Sequence, residues 1–311
     1  TRDVLARSER EQHVQFFQQH LTFFVDLLSR FHPLQPDLIE QDAEQWCWTN
    51  LSWNKALPWS EALIDRYAYR WIWRYLSHNE ALPWSETLID RYADRWYWGG
   101  LSENRALPWS EAFIDRYADR WDWSWLSRNK ALPWSEALID RYADRWHWDW
   151  YSLSKNEALP WSEAFIERYA NRWNWGERGL SRNKGLPWSE ALIDRYADRW
   201  DWNWLSRNKA LPWSEALIDR YADRLHWDGD FGFSRNEGLP WSAALIDRYA
   251  DRWHWGEHGL SGNKALPWSA ALIERYAERW DWDRLSVNES VYDSLAPHIT
   301  PEVIRRVFEE E

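Results

Sequence analysis

The stretch "LPWSEALIDRYADRW" at residues 132–146 returns unchanged at residues 186–200, and edited copies surround both. Its opening tetrapeptide starts at Leu57, Leu82, Leu107, Leu132, Leu159, Leu186, Leu211, Leu239 and Leu266, in steps of 25 to 28 residues. A period this regular is the signature of a repeat array, so the repeat is the unit to read. A worn copy precedes the nine: Pro33, Leu38, Ile39, Trp46 and Trp48 stand 25 residues before Pro58, Leu63, Ile64, Trp71 and Trp73. A partial copy follows, with Thr300, Val303 and Ile304 in the places of Ser269, Leu272 and Ile273. Terminal copies are expected to differ, because each covers an open end.

Residues 57–81 show how one copy should fold. Ser60 is a good N-cap and Glu61 places negative charge at the positive end of a helix. Trp59 and Ile64 occupy the two positions of a hydrophobic staple. Pro58 stiffens the approach and ends the preceding segment. Leu63, Ile64, Tyr67, Ala68 and Trp71 fall on one face at 3.6 residues per turn, which predicts a helix over 61–71. In the Trp-x-Trp that follows, the middle position varies from Ile72 to Tyr97, Asp122 and His147, so its side chain should face solvent. Trp73 and Leu76 suit one turn of a short second helix, α or 3₁₀. The Ser and Asn of LSxN recur from Ser52 and Asn54 to Ser286 and Asn288. Asn tolerates the left-handed conformation and bonds nearby backbone, so this column reads as a ladder satisfying buried turn amides.

No segment reads as strand. One such unit cannot bury its apolar side alone, whereas stacked units can. The fold class is therefore all-α: an α-solenoid of about ten repeats of 25–28 residues with helical caps. Residues 1–31 form the N-terminal cap, 32–289 the solenoid and 290–311 the C-terminal cap. In the first cap Val14, Phe17, Leu21, Phe24, Leu28 and Phe31 make one apolar helical stripe, suited to packing on the first worn repeat or on a partner helix. Asp140 and Asp144 are four apart, as are Arg141 and Arg145, and like charges at that spacing repel. Opposite columns should therefore meet between neighbouring repeats.

At LSxN…LPWS…Trp-x-Trp the chain resembles the tandem tryptophan-rich repeats of uncharacterised bacterial and large-virus proteins. Its spacing is also similar to the leucine-rich-variant repeats, in which an α-helix alternates with a 3₁₀-helix in a right-handed superhelix. In that comparison Asn129 and Pro133 match an Asn and a Pro, and Leu138 and Ala143 match the helix core. The segment "HITPEVIRRV" at 298–307 matches best, while the middle copies carry Trp and Tyr where small aliphatics are usual. The resemblance covers roughly residues 33–308 and implies a binding or interaction scaffold. It does not fix an activity.

The 311 residues include 32 Trp, one Cys and no Met, with a net charge of −12. The missing Met, even at position 1, points to a natural start outside this sequence, and a removed signal peptide is compatible with that. No apolar run is long enough for a membrane span. The acidic total disfavours nucleic acid and anionic membranes as partners. Cys47, alone, can form no intrachain disulfide and no cysteine metal site, which favours a reducing, cytoplasmic setting. No phosphate loop, zinc-protease motif or nucleophile elbow occurs. His254 and His258 have metal-ligand spacing for a helix, but Gly256 and Gly259 make that segment a loop. We therefore expect no catalytic residues, no metal and no cofactor.

Function is expected where the copies differ. The length changes all follow the second Trp of Trp-x-Trp, at Asp149–Ser152, Gly176–Gly179, Asp228–Gly232 and Gly256–Gly259. Extra aromatics cluster there: Tyr75, Trp125, Trp150, Tyr151, Trp204 and Phe231. They are candidate binding residues on loops held by a rigid scaffold, or else padding for a wider corner. The stretch "LHWDGDFGFSRNEG" at 225–238 reads as a bend or a docking point. A second variable line flanks the Asn column, with Arg128 and Lys130, Arg182 and Lys184, and Arg207 and Lys209 forming a basic stripe or an ordinary solvated edge. Two functions remain: a non-catalytic scaffold for a protein partner or for self-assembly along an extended surface, and an aromatic platform for glycans or single-stranded nucleic acid.

Overall fold

A computed structural model describes residues 2–148, 152–227 and 232–309. Among these residues every regular element is helical, and most helices are only three to seven residues long. The chain is an α-solenoid. It divides into two units, residues 1–147 and residues 148–311, and the same repeat grammar operates inside each.

In the copy read above, Ser60 caps a helix as expected, its Oγ accepting from the Leu63 amide at 3.2 Å. That helix, Glu61–Arg66, is shorter than the apolar spacing predicts. Tyr67 leaves the helical region at φ −116°, ψ 27°, and the chain makes a separate turn in which the Arg70 and Trp71 amides both donate to Tyr67 O. Side chains take the carbonyls that a longer helix would have used. Trp71 Nε1 donates to Ile64 O at 3.2 Å and Trp73 Nε1 to Ala68 O at 3.0 Å. Carbonyls at a helix end need partners, and here indoles supply them. Trp59 Nε1 likewise donates to Asn54 O at 2.8 Å. Its ring packs on Trp71, at 5.0 Å between centroids, so the first tryptophan braces the helix-ending tryptophan.

The second helix, Trp73–His78, begins directly after the variable residue. Where that residue is Asp, it caps: Asp122 Oδ1 accepts from the Ser124 and Trp125 amides, and Asp201 does the same for Asn203 and Trp204. Ile72 and Tyr97 are exposed at this position, whereas the aspartates are half-buried. In the longer copies the second helix shrinks to a 3₁₀ turn, as at Leu180–Arg182 and Leu260–Gly262. The Ser of LSxN still reaches the second tryptophan. Ser77 Oγ donates to Trp73 O four residues back, while Ser181 reaches Trp175 O six back and Ser234 reaches Trp227 O seven back. Inserted residues thus leave the packed bonds unchanged.

Packing between repeats is polar as well as apolar. Leu88, Ile89 and Leu101 are fully buried, and their counterparts in the other full copies are buried too, whereas Leu38, Val303 and Ile304 in the terminal copies are exposed. Beside them the LSxN column forms a ladder. Asn79 Nδ2 donates to Ser52 O and Asn54 O of the preceding repeat, and its Oδ1 accepts from Ala81 N. Ser52 Oγ accepts from the Ile72 amide, and this 20-residue step recurs in every copy from Ser77 with Tyr97 to Ser261 with Asp281. The Asn backbone is extended, at φ −80° and ψ 108° for Asn79. It is therefore the amide group, and not a left-handed backbone, that the position requires.

The expected meeting of opposite charges between repeats is present. Arg91 pairs with Asp65 and Glu61 of the preceding copy, and Arg141 with Asp115 and Glu111. Arg120 makes three contacts backward: Nη1 to Ala93 O, Nη2 to Asp94 Oδ1, and a guanidinium over the Trp98 ring at 5.3 Å.

The N-terminal stripe splits. His20 separates helices Arg2–Gln19 and Leu21–Phe31, and Val14, Leu21 and Phe31 are exposed. Contact with the first repeat is made by Asp26, Arg30 and His32 and by Ser29, which is fully buried. Its Oγ accepts from the Cys47 amide, and its carbonyl accepts from Asn54 Nδ2. Leu28-Ser29-Arg30 therefore stands where Leu-Ser-x stands in a repeat. At the other end Thr300 caps the helix Pro301–Glu309 through Val303 N.

Candidate functional site

The repeated polar groups are largely engaged with their neighbours, so the surface that differs between copies is the place for a site. Of the six aromatics proposed from sequence, Trp150, Tyr151 and Phe231 lie outside the described residues. Tyr75 and Trp125 belong to the first unit and Trp204 to the second. All three are half-buried. The Tyr75 ring leans on Trp53 at 5.2 Å. Arg128 lies over Trp125 at 4.8 Å. Trp204 carries two guanidinium groups, Arg182 at 4.1 Å and Arg207 at 4.4 Å from its centroid. Cation–π contacts of this kind hold flexible arginines in place.

Trp204 and its two arginines line a cavity of about 670 Å³ in the second unit. Lys184 and Lys209 join from the position after each Asn, and Lys155 and Arg235 from the position before it. Among the described lining residues six basic side chains stand against two carboxylates, Glu157 and Glu237. Lys209 pairs with Glu237. Among the described residues Arg182, Lys184 and Arg235 form no salt bridge. Burial, followed by the nearby Arg182 charge, pulls Arg207 below the usual arginine range.

The local reason for this clustering is the ladder. Each buried Asn fixes the residues on either side of it at the rim of the corner, one step per repeat. In the second unit the position before Asn reads Lys155, Arg182, Arg207, Arg235, then Gly262 and Val287. Sequence reading found the middle of this row and missed Lys155 and Arg235. Both lie beside inserts, where the changing step hid the column.

The other irregular features are structural. Leu225 replaces a helix-ending tryptophan and is buried. Phe233 replaces the Leu of Leu-Ser and fills the space, touching Trp213, Trp227 and Trp253. His254 and His258 sit in the corner before Leu260 and not on a helix. Among the described residues no cluster of three or more His, Cys, Asp or Glu is arranged to hold a metal, and no helix is long and apolar enough to cross a membrane.

Comparison with protein-family models, with curated proteins and with solved structures finds no match for this chain.

Proposed function

We propose that this protein is a non-catalytic repeat scaffold that binds a protein partner along the edge formed by its Leu-Ser-x-Asn corners. The observation that supports it most is the division of labour between positions. Ser and Asn are buried and bonded to adjacent copies, while the residues flanking Asn stand at the rim and vary from repeat to repeat. A scaffold needs an invariant frame and a variable edge. The resemblance to tandem tryptophan-rich repeats of bacterial and large-virus proteins supports the same reading, as does the lone cysteine for a cytoplasmic setting.

The test is capture from the source organism with the full chain as bait, beside a variant carrying Tyr75→Ala, Trp125→Ala and Trp204→Ala. Proteins retained by the native chain and lost by the variant support the scaffold. A protein set indifferent to the variant counts against this edge. Selective retention of glycans on an array would favour the aromatic-platform reading instead.

A further inference from the structure

We infer that the cavity around Trp204 is a binding site for an acidic peptide segment of the partner protein. This rests on the scaffold reading above and specifies its ligand.

The chain as a whole carries a charge of −12, and its helix-face arginines are spent on carboxylates of the preceding repeat. The Trp204 cavity reverses both trends. Among the described lining residues six cations outnumber two carboxylates, and Arg182, Lys184 and Arg235 form no salt bridge. Trp204 holds Arg182 and Arg207 close together despite their like charge. An arriving anion relieves that repulsion. Guanidinium forks match carboxylates in a bidentate geometry.

Within the second unit the row spans four repeats, and in the sequence Arg128 holds the same position one repeat earlier. Lys155, Arg182, Arg207 and Arg235 take one position in four successive repeats. At a helix spacing of ~8–10 Å the row covers roughly 24–30 Å, the reach of about eight extended residues at ~3.3 Å each. Glutamates at every second or third position would meet a cation each time. Gly262 ends the row on one side.

Nucleic acid fits less well. Single strands bind where aromatic faces are open for bases to stack, and the Trp204 ring already carries two guanidinium groups. Glu157 and Glu237 in the lining also oppose a continuous phosphate chain.

The experiment is fluorescence anisotropy of the full chain with a labelled peptide of about eight residues rich in glutamate. A glutamine peptide and a single-stranded oligonucleotide of equal charge serve as comparisons. Binding of the glutamate peptide is expected to weaken about tenfold in Arg182→Gln/Arg207→Gln, and to weaken steeply with salt. Lys55→Gln/Lys264→Gln, which removes as much charge outside the cavity, should change it less than about twofold. Trp204→Leu keeps every charge but frees the arginines, and is expected to weaken binding by an intermediate factor. Melting curves establish that each variant is folded. Equal losses in both double variants, no binding of the glutamate peptide, or tighter binding of the oligonucleotide would each overturn the assignment. The scaffold reading is judged separately: capture that survives while the peptide fails retains the scaffold and removes only this ligand.

Discussion

At the scale of single residues, the buried Asn of each repeat bonds backbone of the preceding copy. Asn104 Nδ2 reaches Ser77 O and Asn79 O in a buried setting, and its Oδ1 accepts from Ala106 N in a half-buried one. Asn104→Ala would leave the Ser77 carbonyl and the Ala106 amide short of partners, while Asn79 O keeps Trp84 Nε1, at a cost of about 2–3 kcal/mol. A urea midpoint equal to that of the native chain would disprove this. The tyrosines make a second prediction. Burial, then a hydrogen bond to the preceding repeat's aspartate, pushes Tyr92, Tyr142 and Tyr221 up to about 12. The ordinary value is about 10. Their folded form holds the proton more tightly, so the stability they contribute is complete below the ordinary value and is lost as pH rises through about 12. Ultraviolet titration should therefore show a group of tyrosines ionising late, and melting temperature falling over that window. At the acid end the same pairs act in the opposite sense. The tyrosine hydroxyl, then arginine, lowers Asp65, Asp115 and Asp194, and that stability is present above the ordinary carboxylate range and fades as pH drops through the lowered values.

At the scale of elements, short helices stand because side chains finish them. A six-residue helix in isolation is unstable in water. Here Ser85 caps one end through Leu88 N, and Trp96 Nε1 takes the Ile89 carbonyl near the other. The longer corners depend on a close backbone approach. A Cβ on Gly259 would lie 1.9 Å from His254 O, and one on Gly179 only 1.7 Å from Asn174 O. Gly176, by contrast, has room, with its nearest neighbour 3.5 Å away at Asn174 Oδ1. Gly259→Ala should cost about 1–3 kcal/mol, and Gly176→Ala only a few tenths. Equal thermal shifts for the two variants would refute the crowding argument. The Ser cap, the apolar face and the short second helix were legible in the sequence, because each follows from local spacing. The stop at Tyr67 was not. Local propensity favours a longer helix, and the indoles and the next repeat's arginine that compete for its carbonyls are fixed only by stacking.

At the scale of the molecule, stability is shared between neighbours. The indoles form a relay: Trp96 packs on Trp84 of its own copy at 5.0 Å and on Trp73 of the preceding copy at 4.7 Å. The second tryptophan is covered by the successor's tyrosine and tryptophan, as Trp255 is by Tyr276 and Trp280, except at Trp202, where Leu225 leaves Tyr221 as the aromatic cover. Trp282 has no such cover. It is 56% exposed, the one indole among the described residues in the exposed class. Trp282→Phe should remove most of the fluorescence that acrylamide quenches readily while changing stability little. If the quenchable fraction is unchanged, the relay is more open than its geometry implies. At this scale the candidate site was half legible. Trp204, Arg182 and Arg207 were named as separate lines, an aromatic edge and a basic stripe. Their convergence depended on how far each insert displaces a corner.

The sequence by itself determined the repeat, its helical content and the identity of its frame, because periodic apolar residues, caps and turns are local features that a period multiplies. It also determined that charges must pair between copies, since like charges recur along each helix. Only the tertiary structure decided where the helices stop, which carbonyls the indoles take, and which variable residues share a cavity. Those outcomes depend on the step between repeats, a distance set by packing two copies together and written in neither copy alone.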